Sequence, residues 1–371
     1  MIRPAEYPVD AKKYAVLSYD TENLGDEIQS IAAAQFLPRV DEYINREYTN
    51  IYEPRDGVPR AMIMNGWFMH LPANWPPSGF IHPLFISFHL NVASVDKILC
   101  ANGIEYLNEH GPIGARDLTT LEILQGRGVD SYFSGCLTLA TPRPPVGRDE
   151  SLVIVNDVPG EITSRIRSVS KKRVVEVDQN TKVKDPQKRF RLAYNILEEY
   201  ARASFVVTSR LHCALPCLAL GTPVVLIKDD SDPARFAGLE SLLHSYTQEQ
   251  FLDLDTNAID FPRSNKRDHL VLRQGLIRRT ESFIGHVDIR RISPFQRILR
   301  DDPQILQIVE AAYKSILRRT PDEDGFRTYA GLLARVGLSQ GCEEMIEHLL
   351  LSQERRSLEA VAANRGETEA R

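Results

Sequence analysis

Cysteine is scarce and poorly spaced for disulfides: five thiols, at positions 100, 136, 213, 217 and 342, fall as an odd number along a long chain. Such usage excludes a disulfide scaffold and fits a reducing compartment. Only Cys213 and Cys217 stand close together, as C-x-x-x-C, with no second ligand pair nearby, so ordinary buried thiols and no metal are expected. Long apolar runs are missing too. No stretch approaches the roughly 20 apolar residues that cross a bilayer, and the opening MIRPAEYPVDAKKYAVLSYD has no signal-like apolar segment. A cytoplasmic protein is expected. Excess positive charge is also lacking: a formal net charge of -5 and a pI near 6.0 exclude the broad basic footprint of a nucleic-acid partner. What remains, 371 residues with 43% hydrophobic and 26% charged side chains, is an ordinary globular composition on a chain too long for one small domain.

Hydrophobic periodicity divides the chain. Tyr14 to Tyr19 reads as a short buried strand, followed by a glycine-containing loop and a helix over Ile28 to Phe36. Further strands are expected at Ala61 to Met64, Leu84 to His89 and Gly111 to Ala115, with a helix from Leu118 to Arg127 stopped by Gly128. The proline-rich Thr141 to Asp149 breaks both periodicities and reads as a hinge. Beyond it, strands at Leu152 to Val155, Arg173 to Val177, Phe205 to Thr208 and Pro223 to Ile227 alternate with helices such as Ile162 to Ser168 and Phe190 to Ala203. The expected fold class is therefore α/β: two Rossmann-like lobes facing a cleft in the GT-B manner, residues 1–145 and 146–290, plus an all-helical module over 291–371 with a frayed tail.

From Arg263 to Arg300, ten basic residues face three acidic ones. That run reads either as a solvated helical face or as peripheral contact with an anionic membrane surface or an acidic glycan intermediate.

Four constellations can carry chemistry. In Asn23-Leu24-Gly25-Asp26, the glycine permits a close turn at a helix start, and Asp26 can orient or deprotonate a sugar hydroxyl or, alternatively, cap the helix. Arg116-Asp117 follows a strand at the edge where parallel sheets collect ligands; Arg116 offers a fork for a carboxylate or phosphate, unless Asp117 caps the next helix and Arg116 is its exposed partner. Ser209-Arg210-Leu211-His212 ends another strand, where a helix N-terminus favours an anion; the alternative has His212 packed under the turn and Arg210 paired with a carboxylate. The aromatic cluster Asn65-Gly66-Trp67-Phe68-Met69-His70, Trp75 and Ser87-Phe88-His89 reads as core, or as an acceptor surface that stacks on sugar rings.

Taken in order, NLGDEIQSIAAAQFL, GPIGARDLTTLEILQGRGVDSYFSGCLTL and VVTSRLHCALPCLALGTPVV resemble three segments of the polysaccharide pyruvyl transferase family, across roughly residues 12–285. Glu22 stands where many members have glycine. The resemblance implies that Arg116, Arg210 and His212 line a phosphoenolpyruvate site, with His212 as proton donor and Asp26 as the hydroxyl-activating group. Asn23, Asn65, Trp67 and His89 would meet the acceptor. It implies a pyruvate ketal on a saccharide, free or lipid-linked, with phosphoenolpyruvate as donor substrate and no cofactor. Alternative readings are a GT-B glycosyltransferase using a nucleotide sugar, for which Asp229, Asp230 and Asp232 are candidate donor contacts, and a non-catalytic glycan-binding protein. Near the C-terminus, AAYKSILRRTPDEDGFRTYAGLLARVGLSQGCEEMIEHLLLSQE resembles a phycobilisome-linker-like module of unknown function, which implies a protein partner or a substrate-positioning role.

Overall fold

The computed structural model describes residues 13–228, 236–254 and 264–286 and, in the C-terminal region, 303–322, 325, 328–330, 332–333, 338–352 and 354–355. Asp229, Asp230 and Asp232, several arginines of the basic run (263, 290, 291, 297 and 300) and the tail beyond 358 lie outside the described residues.

Among the described residues, eleven strands form two sheets in which every named pairing is parallel. The first contains β1 (Lys13–Ser18), β2 (Glu42–Asn45), β3 (Arg60–Phe68), β4 (Ile81–Leu90), β5 (Ile113–Ala115) and β6 (Ser131–Phe133), in the order β2-β1-β3-β4-β5-β6. The second contains β7 (Asp149–Asn156), β8 (Arg173–Val177), β9 (Ala203–Thr208), β10 (Val224–Ile227) and β11 (His244–Tyr246), in the order β11-β10-β9-β7-β8. Counted from its own first strand, each sheet runs 2-1-3-4-5, with a sixth strand added at the end of the first, the flavodoxin-like variant of the doubly wound plan, whose switch points fall at β1/β3 and β7/β9. The central strands β9 and β10 are buried along their whole length, as parallel strands covered on both faces must be.

The helices are α1 (Gly25–Ala34), α2 (Val95–Ile98), α3 (Ala101–Glu109), α4 (Leu118–Gly126), α5 (Gly160–Val169), α6 (Pro186–Arg202), α7 (Leu211–Leu220), α8 (Gln248–Leu252), α9 (His269–His286), α10 (Pro303–Ile316) and α11 (Leu338–Leu351). Local chemistry sets their ends. Asp185 accepts from the Lys188 N–H at 2.8 Å and Pro186 opens α6, the favoured N-terminal pairing. Gly221 closes α7 with φ 69°, a left-handed cap that glycine adopts without strain. Nine of the ten α7 residues are buried, because the helix is apolar almost all round and packs against α1, α6 and the single turn Leu137–Ala140.

The strands β2, β6 and β11 were not expected. They are three or four residues long and half-buried, too short to show a period. The two sheets share one core. A continuous apolar cluster includes Val16 and Ile63 of the first, Ile154 and Val206 of the second, and Leu215 between them. At its polar margin Arg189 of α6 donates to both Glu27 oxygens of α1 at 2.6 and 3.0 Å, with both side chains fully buried. The proline-rich stretch read as a hinge is tied down: Arg143 donates to the carbonyls of Leu220 and Ala201, and Arg148 to that of Gly221 at 2.7 Å. Near the C-terminus, α10 and α11 pack around Val309, Tyr313, Leu317, Met345 and Leu349, a small core of their own. No helix among the described residues is long and apolar enough to cross a membrane.

Candidate functional site

At the carboxyl edge of the first sheet the loop after β1 turns into α1. Asn23 accepts the Gly25 N–H through Oδ1 at 2.9 Å, and the cap position of α1 is Leu24, with no side-chain bond. Asp26 therefore sits in the first turn and does not cap. Its carboxylate accepts from Thr21 at 2.9 Å and from the Gln29 amide at 3.3 Å, and Arg46 stands 3.8 Å away. Arg46 is buried between the rings of Tyr19 and Trp67, 5.0 and 5.1 Å from their centroids, and donates to Glu47 at 2.8 Å. Burial opposes its charge, but Asp26 and Glu47 hold its pKa above the usual arginine value. Burial likewise keeps the Tyr19 hydroxyl protonated, well above the ordinary tyrosine range. Asn65 donates to the Gln29 carbonyl at 2.8 Å. Trp67 covers Arg46 and lies 4.4 Å from the His70 ring. Trp75 belongs to the core, against Phe68, Phe85, Phe88 and Tyr106.

Two strands further along, Arg116 follows β5 and is fully buried, with Nε 3.5 Å from Asp117. Asp117 caps α4, accepting the Thr120 N–H at 2.8 Å, so the capping reading holds while the exposed partner expected of Arg116 does not. His89 Nδ1 lies 2.5 Å from the same carboxylate and 3.2 Å from the Thr120 hydroxyl, which places this expected acceptor contact inside a buried network. Burial pushes the Asp117 pKa up, yet the hydrogen bond and charge of His89, the Arg116 charge and the Thr120 N–H hold it below the usual carboxylate value. The next residue, Leu118, donates its N–H to Ala237 at 3.0 Å, so this edge touches the loop after β10.

At the carboxyl edge of the second sheet, Arg210 occupies the cap position of α7 and pairs with Asp157 at 3.0 Å. Ser209 donates to the Asp157 carbonyl, the turn-stabilising part its position suggests. Asp157, Pro159, Ser209, Ile227, Lys228, Thr247, Gln248 and Glu249 line a cavity of about 630 Å³ at the β7/β9 switch point. His212 lies one residue into α7 with non-helical ψ 19° and is buried. Its carbonyl accepts from Gln179 at 3.2 Å, and Gln179 in turn accepts the Leu24 N–H at 2.7 Å. Thr181 N–H donates to Glu22 at 2.7 Å and Asn23 forms an isolated antiparallel bridge with Asn180, so the first loop is joined to the loop after β8. A methyl group on Gly25 would stand 3.2 Å from His212 Cβ and 3.0 Å from Asn23 Oδ1. That approach is tighter than most Cβ contacts, so a larger residue would push His212 or Asn23 aside.

The structure thus brings Asn23, Gly25 and His212 together from opposite halves of the chain. Asp26 and Asn65 share Gln29, His89 joins Arg116 and Asp117, and Arg210 joins Asp157 at the cavity. The model of the polysaccharide pyruvyl transferase family matches residues 23–231, more than half of the chain. The chain belongs to that family. No curated protein matches it. The matched span of this pyruvyl transferase relative begins at Asn23, at the turn that meets His212, and contains both arginine segments.

Gln29, Arg46, Asp157 and Lys228 escaped sequence reasoning. Arg46 follows a four-residue strand and precedes a glutamate, a pattern that reads as solvated surface, and Gln29 looks like any polar position of a helix. Of the basic run, Arg273 donates to the Ala219 carbonyl and Arg279 stacks on Tyr132 at 3.9 Å. Cys213 and Cys217 are buried, and burial raises the Cys217 thiol pKa well above its usual value. Among the described residues no three His, Cys, Asp or Glu side chains gather as a metal site.

Proposed function

We propose that the chain transfers the pyruvyl group of phosphoenolpyruvate to two hydroxyls of a saccharide, free or lipid-linked, and so forms a pyruvate ketal. One observation carries the reading: the Asn23–Asp26 turn and the Arg210–His212 turn, 190 or so residues apart, are pressed together through Gly25 and His212. In this reading residues 1–145 and 146–290 are the two lobes of a GT-B-like arrangement, and the turns meet at its cleft. Arg116 and Arg210 bind the carboxylate and phosphate of the donor, one fork per anionic group.

His212 gives a proton to the methylene carbon, leaving C2 electron-poor. A first sugar hydroxyl adds to C2 as its proton passes to Asp26. The C2–O bond to phosphorus then breaks, phosphate leaves with the electron pair, and it takes the proton from Asp26. A second hydroxyl adds to C2 and returns a proton to His212. Donor and diol become ketal and inorganic phosphate, and both side chains regain their starting states.

Incubation with phosphoenolpyruvate and an oligosaccharide acceptor tests this directly. Stoichiometric phosphate release with one ketal per acceptor is expected, whereas phosphate release without pyruvylated product overturns it. A second reading, transfer from a nucleotide sugar, draws on the cavity at the second switch point, where Asp157 and Glu249 could hold a ribose diol. Thermal stabilisation by phosphoenolpyruvate and not by nucleotide sugars separates the two.

A further inference from the structure

From Ala61 to Val95 the chain holds no Asp, Glu, Lys or Arg, although 26% of its residues are charged. Buried β3 and β4 account for the inner part of that run, since strands covered on both faces are apolar. Its turns reach the surface and stay uncharged there. Among the described residues nine large apolar side chains are exposed, and three of them crown the carboxyl edge of the first sheet: Tyr48 at 45% after β2, Leu71 at 42% after β3 and Val92 at 65% after β4.

The three turns are tied into one surface. Leu71 N–H donates to the Glu47 carboxylate at 2.8 Å and the Asn74 amide to the Glu47 carbonyl at 2.7 Å, which joins the turn after β3 to the residue preceding Tyr48. Asn91 N–H donates to the Phe68 carbonyl at 2.6 Å and the Ser94 hydroxyl to that of Met69 at 2.9 Å, which joins the turn after β4 to the same stretch. His70 is exposed beside Leu71, and Trp67, 4.4 Å from the His70 ring, is half-buried.

An exposed apolar surface of this kind marks a contact, and its composition names the partner. Aliphatic Leu71 and Val92 stand with Tyr48, Trp67 and His70, rings that carry a polar tip, the mixture that settles where headgroups meet acyl chains. Charge at the rim agrees. The helix α2, which packs on the turn Pro72–Asn74, exposes Lys97, while its Asp96 is taken up by Arg127 at 2.5 Å, so this margin keeps a cation for an anionic surface.

We propose that this crown seats the carboxyl edge of the first sheet on an anionic lipid bilayer, with Tyr48, Leu71 and Val92 inserted among the headgroups. The pyruvyl-transfer reading supplies the purpose, a lipid-linked acceptor delivered beside Asp26, and the proposal rests on that reading to this extent. The contact is apolar, and so differs in kind from an electrostatic contact through the basic residues of α9.

Sedimentation of the full chain with vesicles of phosphatidylglycerol and phosphatidylethanolamine tests it. Binding should survive high salt, because apolar burial is not screened. Leu71→Glu and Val92→Glu, at exposed positions that tolerate the change, should each weaken binding roughly tenfold or more. Val271→Glu, at an exposed position of α9, should leave it unchanged. The chain has two tryptophans, and Trp75 is in the core, so quenching by brominated lipids together with a blue shift should report Trp67 at the bilayer. The proposal is overturned if vesicles are not bound, or if salt and Val271→Glu release the protein while both crown variants bind as the wild type does. It is also overturned if the crown variants dissociate a dimer in sedimentation velocity and leave vesicle binding unchanged, which would assign the surface to a second copy. Ketal formation on a soluble oligosaccharide needs no membrane and should continue in Leu71→Glu. Its absence from the wild type would count against pyruvyl transfer and leave the vesicle result standing.

Discussion

The two sheets share a strand order and differ at their carboxyl edges. At β1/β3 the charged groups are sunk: Arg46 is buried between two aromatic rings and two carboxylates, amid amide oxygens that meet no donor. At β7/β9 they are open: Arg210 keeps 37% of its side chain exposed, Lys228 keeps 33%, and a 630 Å³ cavity lies beside them. Topology puts a ligand position at each switch point, and the loops decide its chemistry. A buried, charge-balanced edge holds its ionic groups in fixed pairs. An open edge keeps Arg210 and Lys228, though paired with Asp157 and Glu240, within reach of solvent.

The comparison breaks most severely if the halves come apart. Arg189→Leu strands Glu27 in the shared core and should cost about 3–5 kcal/mol, read as a fall in denaturation midpoint. Burial raises the Glu27 pKa even with Arg189 beside it, a sign that pairing does not fully offset desolvation. The double replacement Glu27→Leu with Arg189→Leu should therefore recover most of that loss. If it does not, the ion pair contributes more than its geometry and burial suggest.

Next in size is the chemistry at the second edge. His212→Ala should leave stabilisation by phosphoenolpyruvate largely intact and lower transfer by roughly a hundredfold or more, as expected for loss of a general acid. Wild-type rates in this variant would assign the proton to another group. Asp26→Asn on the first edge should lower kcat as well, with little change in donor KM.

A smaller effect sharpens the electrostatics of the buried edge. The Asp117 pKa is depressed in the fold, so its stabilising contribution is fully present above the ordinary carboxylate value of about 4 and is lost as pH falls through the depressed folded value. Asp117→Asn should cost about 2 kcal/mol at neutral pH. It should also flatten the acid limb of the stability profile, measured by urea unfolding across that range. An unchanged acid limb would move the linkage to another carboxylate.

Much of this was legible in the chain. Strands such as Arg173–Val177 stand where periodicity places them, because five or more alternating or β-branched residues outvote local noise. The three motif turns stand at the ends of β1, β5 and β9, where a polar break after an apolar run marks a strand's end. What was not legible is tertiary. Gln29 acquires meaning only when α1 packs on β3 and sets it beside Asn65, and Asp157 only when β7 lies next to β9. His89 shows the converse: its place in an aromatic stretch suggests a sugar contact, and only the fold joins it to Asp117, 28 residues away.

The smallest effect concerns a contact between the halves at their rim. Arg279 of α9 lies 3.9 Å over the ring of Tyr132 in β6, so a residue of the basic run, which read as solvated or membrane-facing, is engaged on the first sheet. A cation over an aromatic face contributes about 0.5–1 kcal/mol when partly exposed. Arg279→Gln should lower stability by that amount, with Arg279→Lys in between, because a point charge retains the attraction but not the planar stacking. Sedimentation with anionic vesicles completes the test. If Arg279 is structural, Arg279→Gln leaves vesicle binding at the wild-type level, and a marked loss would return this arginine to the membrane.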